Sequence, residues 1–129
     1  MHIHLDYGVD GLAVDLPDER VTVIEPFFRP ALDDSRAALL AALRAPTGSR
    51  PVSELVRRGQ RVAISVCDVT RAQPRRETLE ALFEELPQVR PEDVTILIAT
   101  GTHRTNTPAE LEKMLGADIA RRYRVVNHD

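Results

Sequence analysis

Three short apolar runs, at residues 61–67, 94–99 and 124–126, constrain this chain more than any other feature. Each is rich in Val and Ile and bounded by polar residues, the pattern of a strand buried in a parallel sheet. Helical spacing fills the gaps between them. Pro74 opens a segment with Leu79, Leu82, Phe83 and Leu86 on one face, and Pro87 stops it. Thr107-Pro108-Ala109-Glu110 then carries a strong helix start: threonine caps, proline takes the first position, glutamate reaches back. That helix finishes at Gly116, and residues 119–123 add a further turn. Strands separated by helices of this length require right-handed crossovers, hence a parallel sheet.

The first third reads differently. Ile3-His4-Leu5, residues 12–16 and residues 20–24 are three candidate strands, divided by the turn residues Gly8 to Gly11 and by Pro17-Asp18-Glu19. They predict a small antiparallel meander. From Asp33 the period becomes helical, with Asp33 or Asp34 as cap and Ala37, Leu40 and Leu43 on one stripe ending before Pro46. Pro51 suits a first helical position in a short helix ending near Gly59. The expected fold is therefore α/β: a Rossmann-like parallel sheet with flanking helices, preceded by an antiparallel N-terminal meander. With no repeat and no linker, residues 1–129 read as a single N-terminal domain. Because the last strand ends where a polar cluster has just emerged, that domain is expected to be an incomplete part of a longer protein.

A net charge of −3 supplies no field for gathering nucleic acid or an anionic membrane, and aromatics at 4% leave few stacking platforms. No apolar stretch approaches the roughly 20 residues that span a bilayer. These features predict a cytoplasmic protein whose partners include neither nucleic acid nor membrane. One cysteine, Cys67, excludes an internal disulfide or a cysteine-rich zinc site and reads as a buried, inert thiol. G-x-G-x-x-G, P-loop, G-x-S-x-G and H-E-x-x-H patterns are absent from the sequence.

Polar clusters follow all three apolar runs: Asp68-Val69-Thr70-Arg71, Thr100-Gly101-Thr102-His103-Arg104 and Asn127-His128-Asp129. Parallel strands deliver their exits to one edge of a sheet, where open α/β folds bind ligands. Arg71 can grip a carboxylate or phosphate with two parallel hydrogen bonds. Asp68 orients Arg71, accepts from a substrate hydroxyl, or caps the next helix together with Thr70. Imidazole exchanges protons near neutral pH, so His103 is the candidate general acid or base, against the plainer role of a loop histidine bonded to a backbone carbonyl. Gly101 permits an unusual backbone angle, Thr102 offers a hydroxyl and an amide, and Arg104 adds a cation; all three are candidate pocket-lining or cofactor-binding residues. His128 is open to metal ligation, proton transfer or a structural hydrogen bond. His2 and His4 share one strand face and read as solvated.

The ordered set Asp68-x-Thr70-Arg71-x-x-Pro74, followed by Ala99-Thr100-Gly101-Thr102-His103-Arg104 with Thr107 and Glu110, resembles the amino-terminal domain of nickel-dependent lactate racemase and related 2-hydroxyacid racemases and epimerases. The resemblance covers the whole chain, including the loop from Ala45 to Ser49. It implies that Arg71 holds the substrate carboxylate and that His103 is one of two histidines exchanging the hydroxyl proton. It also implies that Asp68 and Thr70 line the same pocket. Ala72 stands where the family pattern commonly has proline. The implied cofactor is a nickel pincer nucleotide. Its tethering lysine, its nickel-binding histidine and the second catalytic histidine belong to a later part of the family's chain, as does the C-terminal domain that completes the pocket. Lys113, the only lysine, matches none of them, and no metal site is expected in this chain. The implied function is inversion at C2 of a small 2-hydroxy acid, with the isolated chain inactive. The alternative is a non-catalytic carboxylate- or phosphate-binding module.

Overall fold

In the computed structural model, residues 1–128 are described, and the chain divides into two compact units, Met1–Ala31 and Leu32–Asp129. Asp129, the last member of the third polar cluster, lies outside the described residues.

The first unit is a hairpin. Strands β1 (His2–Leu5) and β2 (Leu12–Asp15) pair antiparallel, with Ile3 opposite Val14 and Leu5 opposite Leu12. The expected third strand does not form, so the predicted meander is a two-stranded hairpin. Asp18–Arg20 wind into one 3-10 turn after Pro17, and residues 21–31 beyond it form neither helix nor strand. Pro26 and Pro30 punctuate that segment, and each removes a backbone donor that a ladder would need. His2 and His4 are exposed, with His2 Nδ1 2.8 Å from Asp15 Oδ1.

The second unit carries the expected α/β alternation. Its helices are α1 (Ser35–Arg44), α2 (Val52–Leu55), α3 (Arg75–Glu84), α4 (Pro108–Leu115) and α5 (Ala117–Arg122). Its strands are β3 (Val62–Cys67), β4 (Val94–Ala99) and β5 (Arg124–Asn127). Local signals set the helix starts. Asp34 caps α1 by accepting from the Ala37 N–H at 2.8 Å, and Thr107 with Glu110 forms the full capping box of α4. Pro51 is the residue before α2, which ends at Leu55, four residues short of the Gly59 expected from sequence.

All three strands are parallel in the order β3-β4-β5, with Cys67 beside Ala99 and Ile98 beside Asn127. Sequential order joined by crossovers of one hand puts the connecting helices on the same face. The burial follows. Val66, Val94, Ile96 and Ile98 form the core with Leu79 of α3, Met114 and Leu115 of α4, and Ile119 of α5. Ala63 and Ser65 on the opposite face of β3 are exposed, so β3 is not covered on both sides as its apolar run suggested. Arg44 binds Glu85 at 2.8 Å and Ser35 Oγ donates to Glu77 at 3.1 Å, which ties α1 to the α3 segment. Among the described residues no helix is long and apolar enough to cross a membrane.

Candidate active site

Side chains alternate along a strand, and that parity explains why an acid is buried at the β3 exit. Residues 62, 64 and 66 face the helices. Asp68 is the next position of that parity beyond the strand, and Thr100 is its counterpart after β4. Both are only 3% exposed. A buried carboxylate needs partners, and Asp68 has them. One oxygen accepts from the Thr70 hydroxyl at 2.7 Å and the Thr70 N–H at 3.2 Å. The other lies 2.6 Å from His103 Nδ1. Those hydrogen bonds, from Thr70 first and His103 second, hold the Asp68 carboxyl below the usual carboxylate range. An ionised carboxylate has no proton to give, so Nδ1–H donates and Nε2 is the ring nitrogen left free on a residue that lines the crevice.

His103 reaches this position through a tight turn. Its N–H donates to the Thr100 carbonyl at 3.0 Å, and Gly101 takes φ +59°, a backbone angle that L side chains rarely adopt. The Thr100 hydroxyl donates to the His128 carbonyl at 2.7 Å, and His128 N–H donates to Ile98 at 3.0 Å, so the third cluster is stitched to the second. Asn106 completes the tie. Its side-chain oxygen accepts from Val69 N–H at 3.2 Å, while its N–H and amide donate to Asn127 Oδ1 at 2.9 and 3.1 Å.

The resulting crevice has a volume of about 220 Å³ and is lined by Cys67, Asp68, Arg71, Ala99, Thr100, Gly101, Thr102 and His103. Arg71 is exposed there, and its guanidinium has no hydrogen-bond partner among the described residues. Larger hollows of about 320 and 380 Å³ lie elsewhere on the unit. Neither gathers a histidine with an acid and an arginine, so chemistry favours the smaller one.

Of the residues singled out from sequence, the structure brings together Asp68, Arg71, Gly101, Thr102 and His103. Thr70 acts on the crevice through Asp68 rather than lining it. Arg104 does not line it: its guanidinium forks onto Glu110 at 2.7 and 2.9 Å. Asp68 orients His103 and makes no side-chain bond to Arg71. Cys67 is half-buried and lines the crevice rather than sitting in the core. His128 is exposed and takes part through its backbone. Sequence reasoning missed Asn106, Arg75 and the pairing role of Asn127. Arg75 carried one legible signal, a cation in the first turn of a helix, where anions are favoured.

Could these residues hold a metal-bearing cofactor? Among the described residues no group of three His, Cys, Asp or Glu side chains comes together as a metal site. Lys113 lies on α4 beside a different hollow, with Gln73, Pro74 and Met114. The donors at the crevice fit an anion and a proton, not a nickel ion.

Lactate racemase of Thermoanaerobacterium thermosaccharolyticum is 33% identical over 135 aligned positions, covering 99% of this chain and 31% of the relative. Lactate racemase of Lactiplantibacillus plantarum is 36% identical over 84 positions, 64% of this chain and 20% of the relative. The chain therefore spans about a third or less of these relatives. The solved structure of the Thermoanaerobacterium thermosaccharolyticum lactate racemase apoprotein superposes with a TM-score of 0.72 at 31% identity, over 100% of this chain and 30% of that one. The model of the lactate racemase N-terminal domain matches residues 7–129. With nearly its whole length inside that match, the chain belongs to the lactate racemase N-terminal domain family.

Proposed function

We propose that the crevice is one wall of a racemase or epimerase active site for a small 2-hydroxy acid. The observation that carries this reading is the 2.6 Å pair of Asp68 and His103, which opens on the same 220 Å³ crevice as Arg71, whose guanidinium has no partner among the described residues. Arg71 takes the substrate carboxylate in a two-pronged grip. That grip sets the C2 hydroxyl against His103, whose Nε2 removes or returns the hydroxyl proton. Asp68 keeps the Nδ1–H tautomer and steadies the imidazolium as it forms. Gly101 and Thr102 let the turn approach the substrate closely.

The nickel pincer nucleotide implied by the resemblance does not fit the donors present, so this chain's contribution is carboxylate binding and one proton exchange. In this reading the second proton carrier and the residues that hold the cofactor belong to a later part of a longer polypeptide, whose C-terminal domain completes the pocket. The isolated 129-residue chain is then inactive. Cytoplasmic residence belongs to the same reading.

The experiment is racemisation of D- or L-lactate by the polypeptide that carries this domain together with a C-terminal one, loaded with cofactor. Arg71→Ala and His103→Ala should each abolish turnover while circular dichroism stays unchanged. Full activity in both variants overturns the reading. A non-catalytic anion-binding module would instead keep its affinity for lactate or phosphate in His103→Gln, which calorimetry measures.

A further inference from the structure

Arg75 is 7% exposed at the first position of α3, and no carboxylate pairs with it among the described residues. A cation there is opposed by the helix dipole and by desolvation. Something must offset both. Backbone carbonyls do so. The guanidinium donates to the carbonyl of Cys67 at 2.8 Å, to those of Asp68 and Arg71, and to that of Gln73 at 3.3 Å. These oxygens belong to the last residue of β3 and to the β3–α3 connection, so one planar fork ties the loop to the strand end. The Gln73 side chain adds a second brace by accepting from Cys67 N–H at 3.0 Å.

We infer that Arg75 is the positioning residue of the crevice: its buried guanidinium gathers the carbonyls of residues 67, 68, 71 and 73 and so sets where Asp68 meets His103 and where Arg71 faces the substrate. The inference rests on the proposed acid–base reading but concerns geometry that exists without turnover. Arg75 is not itself among the residues that line the crevice. Its effect travels through the backbone of Asp68 and Arg71. A lysine cannot replace it, because three donors on a single nitrogen cannot span carbonyls spread around a loop.

The test is nuclear magnetic resonance of the 129-residue chain. In Arg75→Met the Nδ1–H signal of His103 should vanish, and the Val69 amide, bonded to Asn106, should exchange at least tenfold faster. The amides of β4 should stay within twofold of wild type, which a loss of global stability would not allow. Millimolar guanidinium ion added to Arg75→Ala should restore the His103 signal, and methylammonium should not. Arg75→Lys, the milder change, should show the same local loss and decides the matter where Arg75→Met does not fold. An unchanged His103 signal in a folded variant, or loop and β4 amides accelerating together, overturns the inference. In the cofactor-loaded enzyme Arg75→Lys should raise KM for the hydroxy acid as well as lowering kcat. A wild-type enzyme without racemase activity would sink the functional reading and leave the resonance result standing.

Discussion

Replacing Asp68 by asparagine changes one atom and should reverse the tautomer of His103. Asp68 Oδ1 accepts from Thr70 N–H at 3.2 Å and Thr70 Oγ1–H at 2.7 Å, so an asparagine NH2 placed there would face a backbone donor. The amide must therefore turn its oxygen to Thr70 and its NH2 to His103. That NH2 can only donate, which makes Nδ1 the acceptor and moves the ring proton to Nε2. The proposed base then has no lone pair for a substrate hydroxyl. General-base assistance is worth about 10²–10⁴ in rate, so kcat/KM should fall by that factor, about 2.7–5.4 kcal/mol of transition-state stabilisation. Nitrogen-15 shifts of the His103 ring report the tautomer in the isolated chain, and lactate racemisation reports the rate in the cofactor-loaded enzyme. A ring proton that stays on Nδ1 in Asp68→Asn, or a rate within threefold of wild type despite the tautomer change, would refute the argument.

Further outcomes follow from single sites. Gly101→Ala meets nothing within 4 Å, yet its φ of +59° should cost about 1–2 kcal/mol in urea denaturation, the penalty of a left-handed angle for an L side chain. A larger loss would mean that space rather than backbone angle decides that turn. Leu115 is 0% exposed, so Leu115→Ala should destabilise by about 2–5 kcal/mol, and a loss under 1 kcal/mol would contradict its place in the core. The bonds to Arg104 and then to Thr107 push the Glu110 carboxyl down from 4.5 to about 2, so its contribution is complete above pH 4.5 and disappears as pH falls towards 2. Denaturation midpoints of wild type should fall through that window more steeply than those of Glu110→Gln, and parallel curves would remove Glu110 as the cause.

Features that depend on neighbours within a turn were legible in the sequence. The Thr107–Glu110 capping box, the Asp34 cap, the stop before Pro87 and the strand runs at β3 and β4 all rest on contacts across a few residues, and such contacts follow residue type. Convergence of Asp68, Arg71 and His103 also followed, because parallel strands must present their exits together. What the exits then do to one another was not legible. Asp68 chose His103, 35 residues away, over Arg71 three residues away, because the register that sets Cys67 beside Ala99 brings the two exits side by side. Asn106 and Asn127 meet across 21 residues for the same reason. Arg75 finds its carbonyl partners only once the loop folds over it, and residues 20–24 read as a strand until no neighbour offers them a ladder. Sequence alone determined the alternation of elements and the edge where polar groups gather. Tertiary structure decided their partners, because a buried polar group is satisfied by whatever the packed register brings within about 3 Å.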